Sequence, residues 1–226
     1  MDETSKSKKY WGDLEKTVLM GKGIDIGCGP DPVTPDARRF DLEQGDANAV
    51  SQYVKEQFDF VYSSHCLEHM HDPRKTILDW WKLVKPGGHL FVMVPDEDLY
   101  EQGVFPSRFN TDHKATFTIS KAKSWSPKSV NVLDLARSLP GGEIVSLQQQ
   151  DRGYNHWLAG SGKFQPDIYI RAVAKFSGFL GRLMSADGQK GLRRFLGTFY
   201  TVDQTLPPFE AQAQIQLIVK KTGQIG

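Results

Sequence analysis

Short apolar runs separated by glycine-rich breaks organise the first part of the chain. Apolar residues flank an acid in the segment Gly23–Ile26, and the chain then passes through Gly-Cys-Gly-Pro at residues 27–30. This pattern predicts a buried strand that ends in a tight turn. A second short strand is predicted at residues 39–42. A third is predicted at residues 58–63, where aromatic and β-branched residues are frequent.

The clearest helix prediction begins at residue 72. Asp72 is a favourable N-cap, Pro73 is favourable in a first turn, and apolar residues recur at helical spacing over residues 77–84. The sequence Lys-Pro-Gly-Gly at residues 85–88 is predicted to end this helix, and residues 89–94 predict a buried strand. A strand, a helix and a strand in this order form a βαβ unit, so the sheet is predicted to be largely parallel.

The second half of the chain is less regular. Residues 111–125 are polar and turn-rich, and a helix is predicted over residues 126–139. Further strands are predicted at residues 144–147 and 213–219. Residues 151–210 separate these two strands by far more than a usual connection, and their middle has helix-like apolar spacing. The prediction is therefore a single domain over the whole chain, with a helical insertion at about residues 151–210.

Composition and charge narrow the class of protein. The chain has 226 residues, with 28 Lys and Arg against 27 Asp and Glu and 39% hydrophobic residues. These values are ordinary for a globular protein, and a net charge of +1 argues against a dedicated nucleic-acid or anionic-membrane binder. Two cysteines cannot form a disulfide framework, and no apolar stretch approaches the roughly 20 residues that span a bilayer. The sequence therefore predicts a cytoplasmic protein without a membrane span or a nucleic-acid partner.

An acid followed by a Gly-x-Gly turn is the first candidate ligand site. At the carboxyl end of a parallel sheet, such a turn lets a ligand approach the main chain of Gly27 and Gly29. A dinucleotide is disfavoured, because Pro32 occupies the third position of the dinucleotide fingerprint and Asp25 places negative charge where a diphosphate would bind. An acid at this position favours a ligand that carries an amino group or a positive charge.

Three motifs in this order resemble those of the class I S-adenosylmethionine-dependent methyltransferases. Residues 24–29, Ile-Asp-Ile-Gly-Cys-Gly, resemble the first motif of that family, and residues 58–69 resemble its fourth-strand region with the sequence Leu-Glu-His. Residues 83–90 resemble the Lys-Pro-Gly-Gly turn before its fifth strand. The resemblance covers roughly residues 23–147. It implies an α/β fold of the Rossmann-like type, with a mostly parallel twisted sheet, helices on both faces and an antiparallel last strand.

The resemblance also implies S-adenosyl-L-methionine as cofactor, with S-adenosyl-L-homocysteine as product. In the implied arrangement Asp25 holds the methionine portion, Asp41 binds the ribose hydroxyls, Asp46 lies beside the adenine amino group and Ser63 lies beneath the sulfonium. The chemistry agrees, because carboxylates accept hydroxyl and amino hydrogens. The implied cofactor-binding residues are Asp25, Gly27, Cys28, Gly29, Asp41, Leu42, Asp46, Ala47 and Ser63.

The chain departs from the family pattern between the first and third predicted strands. Residues 30–41 leave little room for a helix, and Pro32 and Pro35 discourage one. Between Asp41 and Asp46 there is no room for the usual helix and third strand. Two explanations stay open: the early βα units are shortened, or the assignment of Asp41 or Asp46 is wrong.

Methyl transfer to a hydroxyl requires removal of a proton, and histidine is the commonest base near neutral pH. His65 follows the fourth-strand region and His113 lies beyond the fifth strand, both on the predicted ligand side. They are the candidate catalytic residues, with packing and capping as the alternative roles. Glu68 and His69 are predicted to be structural residues at the start of the next helix. Asp112 with the two candidate histidines could form a metal site, but no metal-ligand spacing is evident, so no metal is predicted.

Polar residues after the predicted strands are the candidate contacts of the methyl acceptor: Ser64, Glu97, Tyr100, Asn110 and Asp112. Residues 94–101 and 108–118 loosely resemble bacterial methyltransferases encoded with glycan-assembly enzymes. The resemblance implies a small-molecule acceptor, namely a hydroxyl of a sugar or nucleotide-linked sugar in bacterial glycan biosynthesis. The alternatives are a non-catalytic S-adenosylmethionine-binding protein, an N-methyltransferase of another small metabolite, and a nicotinamide-dependent oxidoreductase.

In the family that the chain resembles, the connection between the last two strands lies at the ligand-binding edge of the sheet. The insertion is therefore predicted to cover the site as a lid, a substrate-selecting wall or a contact in a homodimer. Four basic residues in it are interpreted either as a solvated helix face or as contacts to a phosphate-bearing substrate. They are Arg182, Lys190, Arg193 and Arg194.

Overall fold

The computed structural model describes residues 3–156, 188 and 202–223. Six strands form the central sheet: β1 (Gly23–Ile26), β2 (Arg38–Phe40), β3 (Phe58–Ser64), β4 (Val84–Pro95), β7 (Gly142–Gln150) and β8 (Gln214–Lys221). Two more, β5 (Thr116–Thr118) and β6 (Ser129–Asn131), pair in parallel as a small second sheet. The α-helices are α1 (Glu3–Lys8), α2 (Asp13–Val18), α3 (Val50–Tyr53), α4 (Pro73–Trp81) and α5 (Val132–Arg137). Single turns of other helix types cover Ala47–Ala49, Leu67–His69 and Glu97–Glu101.

The central sheet is mostly parallel. Its strand order is β2-β1-β3-β4-β8-β7, and the neighbours from β2 to β4 are parallel. Strand β8 runs antiparallel to both β4 and β7, so the last strand is the reversed one. This topology confirms the predicted α/β class with its antiparallel final strand.

Helices cover both faces of the sheet. On one face, α3, α4 and α5 enclose the larger apolar cluster, in which Ile77, Trp80 and Leu135 pack against inward residues of the sheet. On the other face, the end of α2 and the residues after β1 pack on Phe91 and Tyr62. Burial of both sheet faces explains the near-continuous apolar strands, which are typical of parallel sheets.

The predicted helix at residue 72 is confirmed, and it also supports the end of the sheet. Asp72 caps α4 through hydrogen bonds from the amides of Arg74 and Lys75. Near the other end of α4, the buried Trp80 donates its indole Nε1–H to the carbonyl of Ala47 at 2.8 Å. The helix therefore fixes the short turn that follows β2.

Two element predictions need correction. The helix predicted over residues 126–139 starts later, because Val130 belongs to β6 and Asn131 then caps α5 by accepting the amides of Leu133 and Asp134. The Lys-Pro-Gly-Gly sequence at residues 85–88 does not separate α4 from the next strand. It is part of β4, which pairs with β3 through an irregular register near Phe58.

The early βα units are short, as one of the two open explanations stated. In the fully described stretch between β1 and β2 there is no helix. Between β2 and β3 the chain forms the turn Ala47–Ala49 and the single-turn helix α3, without a further strand. The position of Asp41 directly after β2 follows from this shortening.

The connection between β7 and β8 leaves and re-enters the sheet at one edge, because Gln150 and Gln214 are paired. Pro95 at the carboxyl end of β4 pairs with the same Gln214, so the connection lies at the carboxyl ends of the parallel strands. Most of the predicted helical insertion and its four basic residues lie outside the described residues, as does the predicted homodimer contact that depends on them. Among the described helices, none has the length and apolar character needed to cross a membrane.

Candidate active site

The carboxyl ends of three parallel strands meet at one rim of the sheet. Ile26 at the end of β1 pairs with Phe40 of β2 on one side and with Ser63 of β3 on the other. Next along β3, Ser64 pairs with Met93 of β4. Crevices outside the carboxyl ends of parallel strands are the usual ligand sites of such sheets.

Two cavities open at this rim and share Gly27, His65 and His69. The large rim cavity has a volume of about 290 Å³. It is lined by Glu3, Thr4, Gly27, Cys28, Gly29, Pro30, Asp31, Ser64, His65, Glu68, His69, Tyr100, Phe109, Asn110, His113, Asp203, Thr205 and Leu206. The small rim cavity, of about 260 Å³, is lined by Gly27, Asp41, Leu42, Gly45, Ala47, His65, Cys66, His69, Met70 and Asp112. Together they form one groove across the end of the sheet.

Gly27 is required at the turn between the two cavities. Its φ is +74°, a backbone conformation that residues other than glycine rarely adopt. A Cβ atom at this position would lie 2.6 Å from Sγ of the buried Cys66. Its amide donates a hydrogen bond to the carbonyl of Phe40 at 2.8 Å, which ties the turn to β2. The backbone therefore borders the groove directly.

Asp41 is held at the end of β2 with both carboxylate oxygens positioned. Oδ2 accepts a hydrogen bond from the amide of Gly29 at 2.7 Å, and Oδ1 accepts one from the amide of Leu42 at 2.8 Å. Each carboxylate oxygen has more than one lone pair, so both can accept further hydrogens from a ligand in the small rim cavity. Leu42, with 91% of its surface exposed, borders the same cavity.

Asp25 is buried behind the turn and does not line either rim cavity. Its Oδ2 accepts a hydrogen bond from the amide of Val33 at 2.6 Å, which shapes the loop after β1. Removal from water raises the pKa of the Asp25 carboxyl to about 7, although the bond from Val33 acts in the opposite direction. The predicted contact of Asp25 with the cofactor stays a prediction.

The raised pKa of Asp25 makes stability depend on pH. Between about pH 4 and pH 7 the folded protein holds a proton that the unfolded chain has lost, so the free energy of unfolding falls as the pH rises through this window. In the wild type this fall amounts to up to about 4 kcal/mol by pH 7. Asp25→Asn still accepts the hydrogen bond from Val33 but cannot lose a proton, so we expect the fall to be absent in this variant. Urea unfolding at pH 5 and pH 8 measures it. The exposed Asp36→Asn serves as the control, and an equal pH dependence in both variants would contradict the assignment.

His113 and Glu101 form a buried pair at the large rim cavity. Nδ1 of His113 lies 2.6 Å from Oε1 of Glu101, and both side chains are almost fully buried. With Nδ1 bound to a carboxylate, the imidazole has a fixed orientation and its Nε2 is the free ring nitrogen. The ring of Tyr100 lies beside it, with 5.2 Å between the ring centroids. Burial raises the pKa of the Tyr100 hydroxyl above its ordinary range.

Glu68 lies among three histidines. Its Oε1 is 3.5 Å from Nδ1 of His65 and 4.0 Å from Nε2 of both His69 and His113. Burial raises the pKa of Glu68, but the contact with His65 and the charges of the three histidines outweigh it, and the pKa is below its ordinary value. Burial lowers the pKa of His65, yet Glu68 and the side chain of Gln214, at 2.9 Å from Nε2, raise it to about 9.

Three further predicted site residues have their side chains elsewhere. The hydroxyl of Ser63 is buried and donates to the carbonyl of Ile26 at 2.9 Å. Asp46 caps the turn Ala47–Ala49 through the amide of Asn48, and the hydrogen bonds of Asn48 lower its pKa. Glu97 is fully buried beneath the small second sheet, outside both rim cavities. Its carboxylate is bonded by Thr116, Lys121, Ser124 and Ser129.

The remaining predicted residues line the groove. Gly27, Cys28 and Gly29 of the turn, Ser64, His65, Tyr100, Asn110 and His113 line the large cavity, whereas Asp41, Leu42, Ala47 and Asp112 line the small one. Sequence reasoning assigned Glu68 and His69 to packing and missed Glu101. The signal for Glu68 was its place between two histidines, His65 and His69, because an acid is buried only with charged or hydrogen-bonding partners.

Residues 9–133, more than half of the chain, match the model of a family described as Methyltransferase domain. The chain belongs to this methyltransferase family. This finding confirms the resemblance to the class I S-adenosylmethionine-dependent methyltransferases. At the level of the family it also confirms the predicted enzyme class and the predicted cofactor.

Curated relatives match over a shorter segment. Two proteins named ubiquinone biosynthesis O-methyltransferase, from Cronobacter sakazakii and Pseudomonas putida, are 40% and 38% identical over 77 residues. This segment is 30% of the present chain and 30% and 32% of the two relatives, so the chain spans about a third of their length.

The comparison with solved structures gives matches over most of this chain. The YcgJ protein of Bacillus subtilis has a TM-score of 0.48 at 13% identity, covering 93% of this chain and 97% of its own. The phosphoethanolamine N-methyltransferase 2 of Haemonchus contortus, solved with S-adenosylhomocysteine, has a TM-score of 0.46 at 14% identity, covering 93% and 51%.

The residues of the small rim cavity fit the family's cofactor. The turn after β1 borders open space, because no atom lies within 4 Å of a Cβ built on Gly29. Asp41 offers two ordered carboxylate oxygens at the position that the family pattern gives to the ribose. Leu42, Ala47 and Met70 line the same cavity as apolar groups for a flat ring.

Proposed function

We propose that this protein transfers the methyl group of S-adenosylmethionine to a hydroxyl of a small polar molecule, with a sugar or nucleotide-linked sugar as the acceptor class. The observation that supports the proposal is the division of the groove at Gly27. Ribose-type and apolar ligand groups have partners on the Asp41 side, and the buried pair of His113 and Glu101 lies on the other side.

The cofactor would extend from the small cavity into the large one along the turn after β1. Asp41 would accept the ribose hydroxyls, and the backbone of residues 27–29 would border the methionine portion. The two cavities share Gly27 and His65, so the sulfonium would lie where they join, next to Ser64 and His65. Methyl transfer requires acceptor, methyl and sulfur in line, and a groove with two ends permits that arrangement.

The acceptor would bind at the far end of the large rim cavity. Tyr100, Asn110 and His113 line that end, and they offer a hydroxyl, an amide and an imidazole to a hydroxylated ligand. We assign His113, oriented by Glu101, to activation of the acceptor oxygen. His65 is less suited to accept a proton, because both of its ring nitrogens already face acceptors, Glu68 and Gln214.

An aromatic oxygen acceptor is the second candidate. The relatives that share a 77-residue segment are named ubiquinone biosynthesis O-methyltransferases, which favours oxygen over nitrogen as the accepting atom. Tyr100 and Phe109 form an edge-to-face pair at the large rim cavity, with 5.7 Å between the ring centroids. Such a pair suits a flat ring as well as the apolar face of a sugar.

The test combines binding and transfer. Calorimetric titration with S-adenosylmethionine should show one site per chain, whereas a nicotinamide dinucleotide should not bind. Methyl-labelled cofactor is then incubated with nucleotide-linked sugars, free sugars and phenols, and mass spectrometry locates the methyl group. Transfer to an amine or to none of the acceptors, by a folded protein that binds the cofactor, would contradict the proposal. Transfer to a phenol alone would establish the second candidate.

A further inference from the structure

We propose that Glu68, His69 and His113 form a binding site for a divalent transition-metal ion of the Zn²⁺ class at the floor of the large rim cavity. Each residue offers one ligand atom, and these three atoms lie within 4.8 Å of one another. One carboxylate and two imidazoles are a common ligand set for catalytic zinc, with a further position left open.

The distances fit a site that closes on an ion. Oε1 of Glu68 lies 4.0 Å from Nε2 of His69 and 4.0 Å from Nε2 of His113. Ligand atoms at about 2.0–2.2 Å from a tetrahedral ion are roughly 3.5 Å apart. Each imidazole nitrogen must therefore move by about 0.5 Å relative to the carboxylate oxygen, and no two of the three ligand atoms must draw together by more than about 1.3 Å.

The outer partners of both histidines are those of a metal site. Nδ1 of His69 is 2.8 Å from Oδ2 of Asp112, and Nδ1 of His113 is 2.6 Å from Oε1 of Glu101. Metal-binding histidines almost always donate the other ring N–H to a carboxylate or carbonyl, which fixes the tautomer and leaves the second nitrogen for the ion. Here both histidines have this arrangement, and both Nε2 atoms lie near the same carboxylate oxygen.

Glu68 supplies the independent observation. Its side chain is 1% exposed, and neither carboxylate oxygen has a hydrogen-bond partner within the described part of the chain. A buried carboxylate without hydrogen bonds is costly, and it requires a protonated neighbour or a cation. A cation between the carboxylate and the two free imidazole nitrogens would satisfy all three groups.

The backbone holds the two ligand segments together although they are far apart in sequence. The carbonyl of Glu68 accepts hydrogen bonds from the amides of Lys114 and Ala115, at 2.8 and 3.2 Å. The Lys114 side chain also donates to the carbonyl of His69 at 2.7 Å. These bonds fix His113 beside the Leu67–His69 turn, so the three ligands are positioned before an ion binds.

His65 is the competing partner of the carboxylate. At 3.5 Å its Nδ1 is nearer to Glu68 than either of the other imidazoles. When an ion binds, the carboxylate of Glu68 would interact with the ion in place of His65. Since His65 keeps its bond to Gln214, it can remain in place.

The three ligands line the large rim cavity, so the open position of the ion would face the predicted acceptor end. This consequence rests on the proposed function: an acceptor hydroxyl that binds the ion would lose its proton more easily. Binding of the ion itself does not depend on methyl transfer.

The test titrates the whole chain, freed of metals with a chelator, with Zn²⁺ in competition with a chromophoric chelator, and records the visible spectrum with Co²⁺. One ion should bind per chain. Glu101→Gln, which changes an outer partner of a ligand, should weaken Zn²⁺ binding by roughly 10–100-fold. Replacing a ligand itself, in His69→Ala, His113→Ala or Glu68→Gln, should weaken Zn²⁺ binding by more than that. His71→Ala, an exposed histidine two residues from His69, should bind Zn²⁺ like the wild type.

Zn²⁺ binding that is absent from the wild type, or equal in the wild type, His69→Ala and His113→Ala, would overturn the inference. Circular dichroism and S-adenosylmethionine titration of each variant show whether it folds, and the partly exposed His69 keeps the test valid if Glu68→Gln does not fold. If the wild type does not bind Zn²⁺ in the titration but transfers methyl groups, the metal site is overturned and the proposed function is not affected. A bound ion in a protein that methylates no acceptor would do the reverse.

Discussion

Replacing His113 by alanine is expected to lower the rate of methyl transfer by about 10²-fold or more, which is the usual contribution of a general base. The affinity for S-adenosylmethionine is expected to stay unchanged, because His113 lines the large rim cavity and not the cavity that holds Asp41. Initial rates with labelled cofactor, together with calorimetric binding of the cofactor, measure the two quantities separately.

The controls separate chemistry from folding. His71→Ala removes an exposed histidine and should leave the rate unchanged. Glu101→Gln keeps the shape of the partner of His113 but removes its charge, so we expect a smaller loss of rate with an altered pH profile. Full activity in both His65→Ala and His113→Ala would remove histidine from the mechanism.

A chelator distinguishes two ways in which His113 could act. Replacing His113 should lower the rate whether His113 is the base or a ligand of the ion, because in each case the acceptor oxygen keeps its proton. If His113 is a ligand of the ion, treatment with a chelator should reproduce the loss in the wild type, and added Zn²⁺ should reverse it. If His113 accepts the proton directly, the chelator should have no effect.

The elements that face the sheet core could be predicted from the sequence. Strands β1 and β3 and helix α4 are marked by apolar periodicity and by the Asp72-Pro73 cap, and all three are present. The Gly27 turn could be located because its conformation requires glycine. These signals are local, so a single sequence contains them.

The groups that depend on distant contacts could not be predicted in the same way. Val130 has an apolar spacing that fits a helix, but its pairing with Phe117 makes it part of a strand. Asp25 and Glu97 are acids of the kind that bind ligands, yet both are bonded within the protein. The amide of Val33 donates to Asp25, and four polar side chains donate to Glu97. The meeting of Glu68 with His113 depends on backbone hydrogen bonds across some 45 residues, which no local pattern records.

The second large effect is expected at Asp41, whose replacement by asparagine should weaken S-adenosylmethionine binding by about 10²-fold. A hydrogen bond to a charged group contributes roughly 1.5–3 kcal/mol, and about 1.4 kcal/mol corresponds to a factor of ten in affinity. Asparagine also fails as a local acceptor. Gly29 and Leu42 each donate an amide to one oxygen of Asp41, and the variant has only one oxygen to offer. The side-chain amide would then face a backbone donor and turn away from the ribose position.

Glu43→Gln is the matched control for Asp41→Asn, because it removes the same charge from an exposed residue of the same loop. Calorimetry with S-adenosylmethionine should give wild-type affinity for Glu43→Gln and the large loss for Asp41→Asn. Thermal unfolding without ligand should show that both variants are folded, with a somewhat lower midpoint for Asp41→Asn, because it loses one of the two local hydrogen bonds. Wild-type affinity in Asp41→Asn would mean that another acid binds the ribose. Asp46, which caps the next turn with its side chain, would be the first to examine, since the short loop after β2 brings both acids near the rim of the sheet.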